Sequence, residues 1–303
     1  MPSTIFEVRD DAFHEAVAPD ATLRTIADGF TFTEGPIWHP TEGWLLFSDI
    51  ARSQQWRWRE AEGVTLFRQP SNQANGNAFD REGRVVTCEH ASSKLVRVEH
   101  DGKLVRVLAA HYEGKQLNSP NDVVVDGKGR IFFTDPSFGR TREDLGLIRE
   151  QELPFQGVFR YDTDGTLHLL ADDFEQPNGL CFTRDGSRLL VNDTPRRVIR
   201  SFSADGESGG EVWAEITGEG SDVEGSETWN PDGMKTDTEG RIWCNGPGGV
   251  HVLSSEGQTL GVIYLPEKST NFCFGGRGLQ TLFVTASTRV YAIDTLATGL
   301  PAF

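Results

Sequence analysis

No run of apolar residues in this 303-residue chain approaches the roughly 18 needed to cross a bilayer as a helix. The N-terminus, MPSTIFEVRDDAFHEA, lacks the basic stretch and apolar core of a secretory leader, so the cytoplasm is the expected compartment. Cysteine is scarce: Cys88, Cys181, Cys244 and Cys273 are far apart, and no two form a Cys-x-x-Cys pair. Each sits in an apolar, strand-like stretch, so reduced core thiols are expected rather than disulfides or a thiolate metal site. Positive charge is the minority sign. Against 45 Asp and Glu there are 29 Lys and Arg, and a net charge of −16 argues against nucleic acid or an anionic membrane as partner. There is no Gly-x-Ser-x-Gly elbow, no His-Glu-x-x-His, no P-loop and no Gly-x-Gly-x-x-Gly in a strand–helix setting. Serine-hydrolase, zinc-protease and nucleotide chemistries therefore lose their usual signatures.

What the chain does have is turn chemistry. Its 33 Gly and 14 Pro are spread evenly rather than massed in linkers, which favours many short strands. One phrase recurs: SPNDVVVDGKGRIFF (119–133), QPNGLCFTRDGSRLL (176–190) and NPDGMKTDTEGRIW (230–243). Extended outward it gives six copies, each an acid or amide opening an apolar segment, a short Gly turn, and a second β-rich segment. The openers are Glu34, Asn77, Asn121, Asn178, Asp232 and Asn271, at steps of 43, 44, 57, 54 and 39 residues. Third segments such as KLVRVEHDG (94–102) and VFRYDTDG (158–165) alternate and end in Gly turns, as hairpin strands do.

A repeat of this length built from short strands predicts an all-β, six-bladed propeller of four-stranded blades. The sixth copy shows three strands only, and TLRTIADGF (22–30) is expected to supply its fourth, closing the ring in one domain over residues 1–303. Turns such as DREG, DGKG, TRDG and DTEG are short and define a lower face. The long connections, 111–120, 134–157 and 214–231, all fall on the upper face, where function is expected. The excursion 134–157 is a candidate lid.

The six openers meet at the top of the inner strands, near the axis. A ring of two carboxylates and four amides, with no Lys or Arg among them, asks for a cation. Oxygen-only donors select a hard ion, and two negative charges match a divalent one. Ca²⁺ tolerates amide oxygens and irregular geometry best, although Mg²⁺, Mn²⁺ or Zn²⁺ enter such a site when abundant. The alternative for any one of these residues is a turn former capping its own backbone. His90 and Glu89 end the second strand of blade two at the upper face, and His90 is the one histidine considered as a pocket residue. His39 and His100 fall at lower or outer turns. Asp135 and Asp193, ending second strands near the mouth, read equally as turn caps or substrate contacts, and Trp229 is placed to wall the pocket.

TEGPIW (33–38), SPNDVVVD (119–126), QPNGLCF (176–182) and NPDGMKTDTEGRIW (230–243) resemble the gluconolactonase/regucalcin family of calcium-dependent propeller lactonases, over about residues 22–295. GNAFDREGRVVTCEH (76–90) and ELPFQGVFRYD (152–162) are closer to its bacterial gluconolactonases. The resemblance implies Glu34, Asn178 and Asp232 as metal ligands, Asn121 as a fourth ligand or substrate amide, and Asp232 as general base. Asn77, His90 and Asn271 join Asn121 as candidate substrate contacts. Animal members carry an Arg two residues before the Asn of the Asn-Asp motif, where this chain has Ser119.

A lactone is a ring ester, so its hydrolysis needs a polarised carbonyl, an activated water and a stabilised oxyanion, all within reach of a cation and one carboxylate. The expected activity is opening of a sugar lactone such as glucono-1,5-lactone. Two alternatives are a phosphotriesterase-like hydrolase on the same ring, and a non-catalytic calcium-binding or ligand-sensing propeller.

Overall fold

The computed structural model describes residues 5–99, 104–205 and 209–302, and His100 lies outside them. Six antiparallel sheets are arranged as the blades of a propeller. The innermost strands are Thr33–His39, Ala74–Phe79, Val123–Val125, Pro177–Phe182, Met234–Thr236 and Ser269–Gly275. Each blade adds three further strands outward. In blade six the outermost of these is Arg24–Asp28, from the N-terminal end of the chain, paired with Arg289–Asp294. This is the closure expected from residues 22–30. Blade five carries a fifth strand that the repeat did not reveal, Phe6–Val8 against Thr259–Tyr264. No helix among the described residues is long and apolar enough to cross a membrane.

The recurrence of the lower turns from blade to blade has a local cause. In Asp80–Arg84, Asp126–Arg130 and Asp237–Arg241 the Asp Oδ1 accepts from the backbone N–H groups two and four residues on, at 2.9–3.0 Å. The other oxygen takes the Arg Nε at 2.7–2.8 Å. An Asp-x-x-Gly-Arg turn thus supplies its own cap and ion pair in five residues.

Between blades, apolar contacts are joined by buried hydrogen bonds such as Ser48 Oγ to the Asn75 carbonyl at 2.8 Å. Trp38 of blade one stacks on Phe283 of blade six, ring centroids 5.2 Å apart and planes 16° from parallel. All four cysteines are free and buried in such layers, as expected.

At the hub there is no room for side chains on every residue. A Cβ on Gly179 would stand 2.0 Å from the Asp232 carbonyl oxygen, and one on Gly35 would stand 2.1 Å from that of Asn75. The glycines that follow the openers therefore let the inner strands converge until polar side chains meet.

Candidate functional site

The hub is polar above and apolar below. Below, a cavity of about 240 Å³ is walled by Trp38, Phe79, Val125, Phe182 and Phe274, and residues Leu300–Ala302 border it. Above, at the tops of blades one, four and five, Glu34 lies in the field of Asp232 and Asn178 lies against Asp232, while Asn121 heads blade three beside His90. Glu34, Asn121 and Asn178 are 3–5% exposed, and Asp232 is partly exposed.

Glu34 accepts from the Gly35 backbone N–H at 2.6 Å. Burial, then the negative charges of Asp232 and Asp122, hold its carboxyl well above the usual carboxylate range. Asp232 is pushed up to about 7 by loss of solvent, partly opposed by Lys268 at the rim. Neither acid makes an ion pair with a described Lys, Arg or His.

The amides are turned so that their donors are spent. Asn178 Nδ2 donates to Thr194 Oγ1 at 3.1 Å, and Thr194 in turn donates to the Pro231 carbonyl at 2.9 Å. Asn121 Nδ2 lies 3.5 Å from His90 Nε2. No hydrogen bond to Oδ1 of either residue is made by a described group, which leaves both carbonyl oxygens available as ligands.

Those donors fit a hard divalent ion. Among the described residues no group of three His, Cys, Asp or Glu can hold an ion on its own, so the two amides are needed for the set to suffice.

Blade two departs from the sequence register. Its opener is Asn75, not Asn77. Strand pairing jumps from Ala74↔Glu89 to Asn77↔Thr87, as it jumps from Pro177↔Asp193 to Leu180↔Val191 in blade four, so Asn75 stands where Asn178 does. Asn77 is consumed between blades one and two. Its Oδ1 accepts from Gln55 at 2.7 Å and Thr87 at 2.8 Å, and its Nδ2 reaches the Gly35 carbonyl at 2.8 Å and Ser48 at 3.0 Å. With every polar atom taken, it cannot serve as the substrate contact expected of it.

His90 is fully buried. Its Nδ1 lies 2.9 Å from the Leu145 carbonyl and must carry the proton, leaving Nε2 to accept from Asn75 Nδ2 at 3.1 Å. Burial lowers its pKa to about 4, so it is neutral at ordinary pH. It orients two amides of the ring and meets the 134–157 excursion, and its ring nitrogens are already occupied.

Asn271 sits at the floor: its Oδ1 accepts from Phe272 N at 2.9 Å and its Nδ2 lies 3.5 Å from Asp122. Asp122 and Lys235 were not anticipated. Asn-Asp reads as a turn in sequence, which hid a third buried acid.

Asp193 and Asp135 are turn caps. Asp193 accepts from Glu175 N at 3.0 Å and Gln176 N at 3.1 Å, and Asp135 from Asn118 N at 2.7 Å. Ser119 donates to the Pro136 carbonyl and accepts from Gly139 N at 3.0 Å, so its hydroxyl is spent on the excursion. Trp229 is half-buried beside the short helix Ser226–Thr228, ahead of Pro231. His39 packs at the lower turn between Trp44 and Phe79, ring centroids 4.9 and 5.0 Å away.

The excursion itself is clamped. Arg140, 2% exposed, donates to the carbonyls of Asn118 at 2.9 Å, Leu117 at 2.6 Å and Glu150. Arg149 reaches the His90 carbonyl at 3.0 Å and Ser93 Oγ.

Residues 32–288 match the SMP-30/Gluconolactonase/LRE-like region family. A gluconolactonase of Zymomonas mobilis is 30% identical, the alignment covering 98% of this chain and 86% of the relative. A pentonolactonase of Haloferax volcanii is 29% identical over 89% of this chain and 93% of its own length. The solved structure of a gluconolactonase from Xanthomonas campestris superposes with a TM-score of 0.87 at 32% identity, covering 96% of this chain and 94% of the other. The chain belongs to the SMP-30/gluconolactonase/LRE-like family.

Proposed function

We propose that this member of the SMP-30/gluconolactonase/LRE-like family is a lactonase that opens an aldonolactone, with glucono-1,5-lactone as the first candidate, on a divalent ion held by Glu34, Asn121, Asn178 and Asp232. Relatives that align over nearly the whole chain are a gluconolactonase and a pentonolactonase, which supports the substrate class. The observation that carries the metal reading is Glu34: a buried carboxylate without a basic partner, in the field of two further acids, Asp232 and Asp122. Ca²⁺ is the proposed ion on the strength of that donor set.

When bound, the ion supplies positive charge that polarises the lactone carbonyl and stabilises the oxyanion. Asp232 is the proposed general base. It is partly open to the mouth, and beside a bound ion it would be held ionised and so able to accept a proton from water. Asn178, held by Thr194, lies against Asp232 and fixes the direction of its carboxylate. His90 keeps Asn121 turned with its oxygen inward, and the clamped excursion limits water above the ring.

The test is proton release from glucono-1,5-lactone at constant pH, above the spontaneous rate, before and after chelation and after Ca²⁺ restoration. Turnover lost on chelation and regained with Ca²⁺ is the expected result. Turnover indifferent to a chelator that strips the ion overturns the metal reading. Absence of turnover on ion-loaded protein overturns the substrate.

A further inference from the structure

The floor of the site carries charge that the proposed reaction leaves unused. Asp122 is 3% exposed; one oxygen accepts from Val123 N at 2.9 Å and the other lies 3.5 Å from Asn271 Nδ2. Lys235 Nζ donates to Asn271 Oδ1 at 3.3 Å and to the Met234 carbonyl at 2.9 Å, and stands 5.9 Å over the Phe272 ring. Asn271 thus stands between the ammonium and Asp122, and Asp122 bears in turn on Glu34. The arrangement is built rather than incidental. A Cβ on Gly76 would sit 2.7 Å from Asp122 Oδ1, and one on Gly233 would sit 2.1 Å from Asn271 Oδ1, so glycine at both places makes the room.

We infer that Lys235 is a permanent counter-cation of the channel and, with Asp122, a positioning pair that sets the affinity of the ring for its ion. Three carboxylates, Glu34, Asp122 and Asp232, stand against one ammonium. Once an ion has displaced their protons, the balance is two negative charges, which one divalent ion neutralises. Lys235 borders the lower cavity and is partly exposed, and Asp122 is the buried acid its charge reaches. Lys268, partly exposed at the rim, bears on Asp232.

The inference rests on the metal reading of the ring and separates from it by sign. A site held together by packing alone loses affinity when either partner is removed. A site governed by charge responds in opposite directions. At an effective dielectric of about 20, a unit charge several Å from an ion changes its affinity on the order of tenfold or more.

Calorimetric titration of Ca²⁺ into chelator-treated protein at pH 8 is the test. The native chain is expected to bind one ion. Asp122→Asn is expected to weaken binding about tenfold, Lys235→Met to tighten it about tenfold, and the double variant to return within about threefold of the native value. If Lys235→Met does not fold, Lys235→Gln keeps a donor for Asn271 without the charge and takes its place. Binding weakened or unchanged by the loss of the lysine charge overturns the inference while leaving the metal site standing. Failure of the native protein to bind any ion overturns both, and the native titration alone reports it.

Discussion

His90 Nδ1 and the Leu145 carbonyl oxygen, 2.9 Å apart and 55 residues distant in sequence, tie the ring to the excursion above it. A carbonyl accepts only, so the bond fixes the His90 tautomer, and the tautomer fixes the direction of the Asn75 amide at 3.1 Å and the Asn121 amide at 3.5 Å. A loop contact is thereby converted into an orientation at the site.

His90→Ala should free both amides and loosen the excursion. We expect kcat/KM for the lactone to fall about 10- to 100-fold, with faster proteolytic nicking within 134–157. His90→Asn should recover part of the loss if orientation is the cause, since its amide can be set to accept at one of these two positions. Steady-state kinetics beside limited proteolysis checks both, and unchanged kinetics for His90→Ala would remove the histidine from the site.

Asp232→Asn keeps size and shape at the mouth while deleting charge and basicity. Turnover should drop by about 10²- to 10⁴-fold, with weaker ion binding and an unchanged far-ultraviolet circular dichroism spectrum. Retained turnover under saturating ion would mean that another group accepts the proton. A loss of ion binding with no turnover to lose would favour a binding protein.

Much of the fold was written in the chain because each blade restates it. The Asp-x-x-Gly-Arg turns at 80–84, 126–130 and 237–241 are self-contained structures of five residues, so local sequence suffices to locate them. The closing strand Arg24–Asp28 was legible as the one missing from the last repeat. Phe6–Val8 was not, since a fifth strand answers to no repeat.

At the proposed site, Glu34, Asn121, Asn178 and Asp232 stand out as candidates because a Pro or Gly-Pro setting marks them. Blade two reads Asn-Gly-Asn, two amides two residues apart and so on one side of a regular strand. Only the bulge between Ala74 and Asn77 tells which faces the hub. Asp122 and Lys235 were hidden for a different reason. Their role depends on Asn271, 149 residues from Asp122, and no local pattern encodes that meeting.

Gly233→Ala tests whether the floor is as tightly fitted as it looks. The added Cβ would stand 2.1 Å from Asn271 Oδ1 and 2.7 Å from its Cα, so the side chain alone cannot escape by rotating. Destabilisation of about 1–3 kcal/mol is expected, together with weaker ion binding. Gly127→Ala, at a lower turn where an added Cβ meets nothing within 4 Å, is the control and should be near neutral. Equal melting temperatures for the two variants would show that the hub yields more than its distances allow.

The dependence on pH follows from the same acids. In ion-free protein, Asp232 keeps its proton up to about 7 and Glu34 keeps one well above its ordinary range, whereas the unfolded chain releases both near 4. Folded protein then binds more protons than unfolded protein across that window, so the stability contributed by these groups falls as pH rises through it. An arriving ion must displace the same protons, so its binding should strengthen as pH rises through about 7, and further for as long as Glu34 keeps its proton. The quantity to measure is the rise in melting temperature on adding a fixed Ca²⁺ concentration, at a series of pH values. Taking the difference removes groups that titrate alike with and without the ion: His90 and His251, both lowered by burial to about 4, and Asp135, raised by burial to about 7. The gain should climb as pH rises from 5 through 7, and Asp232→Asn should make the climb shallower. A gain independent of pH would place the ion away from these carboxylates.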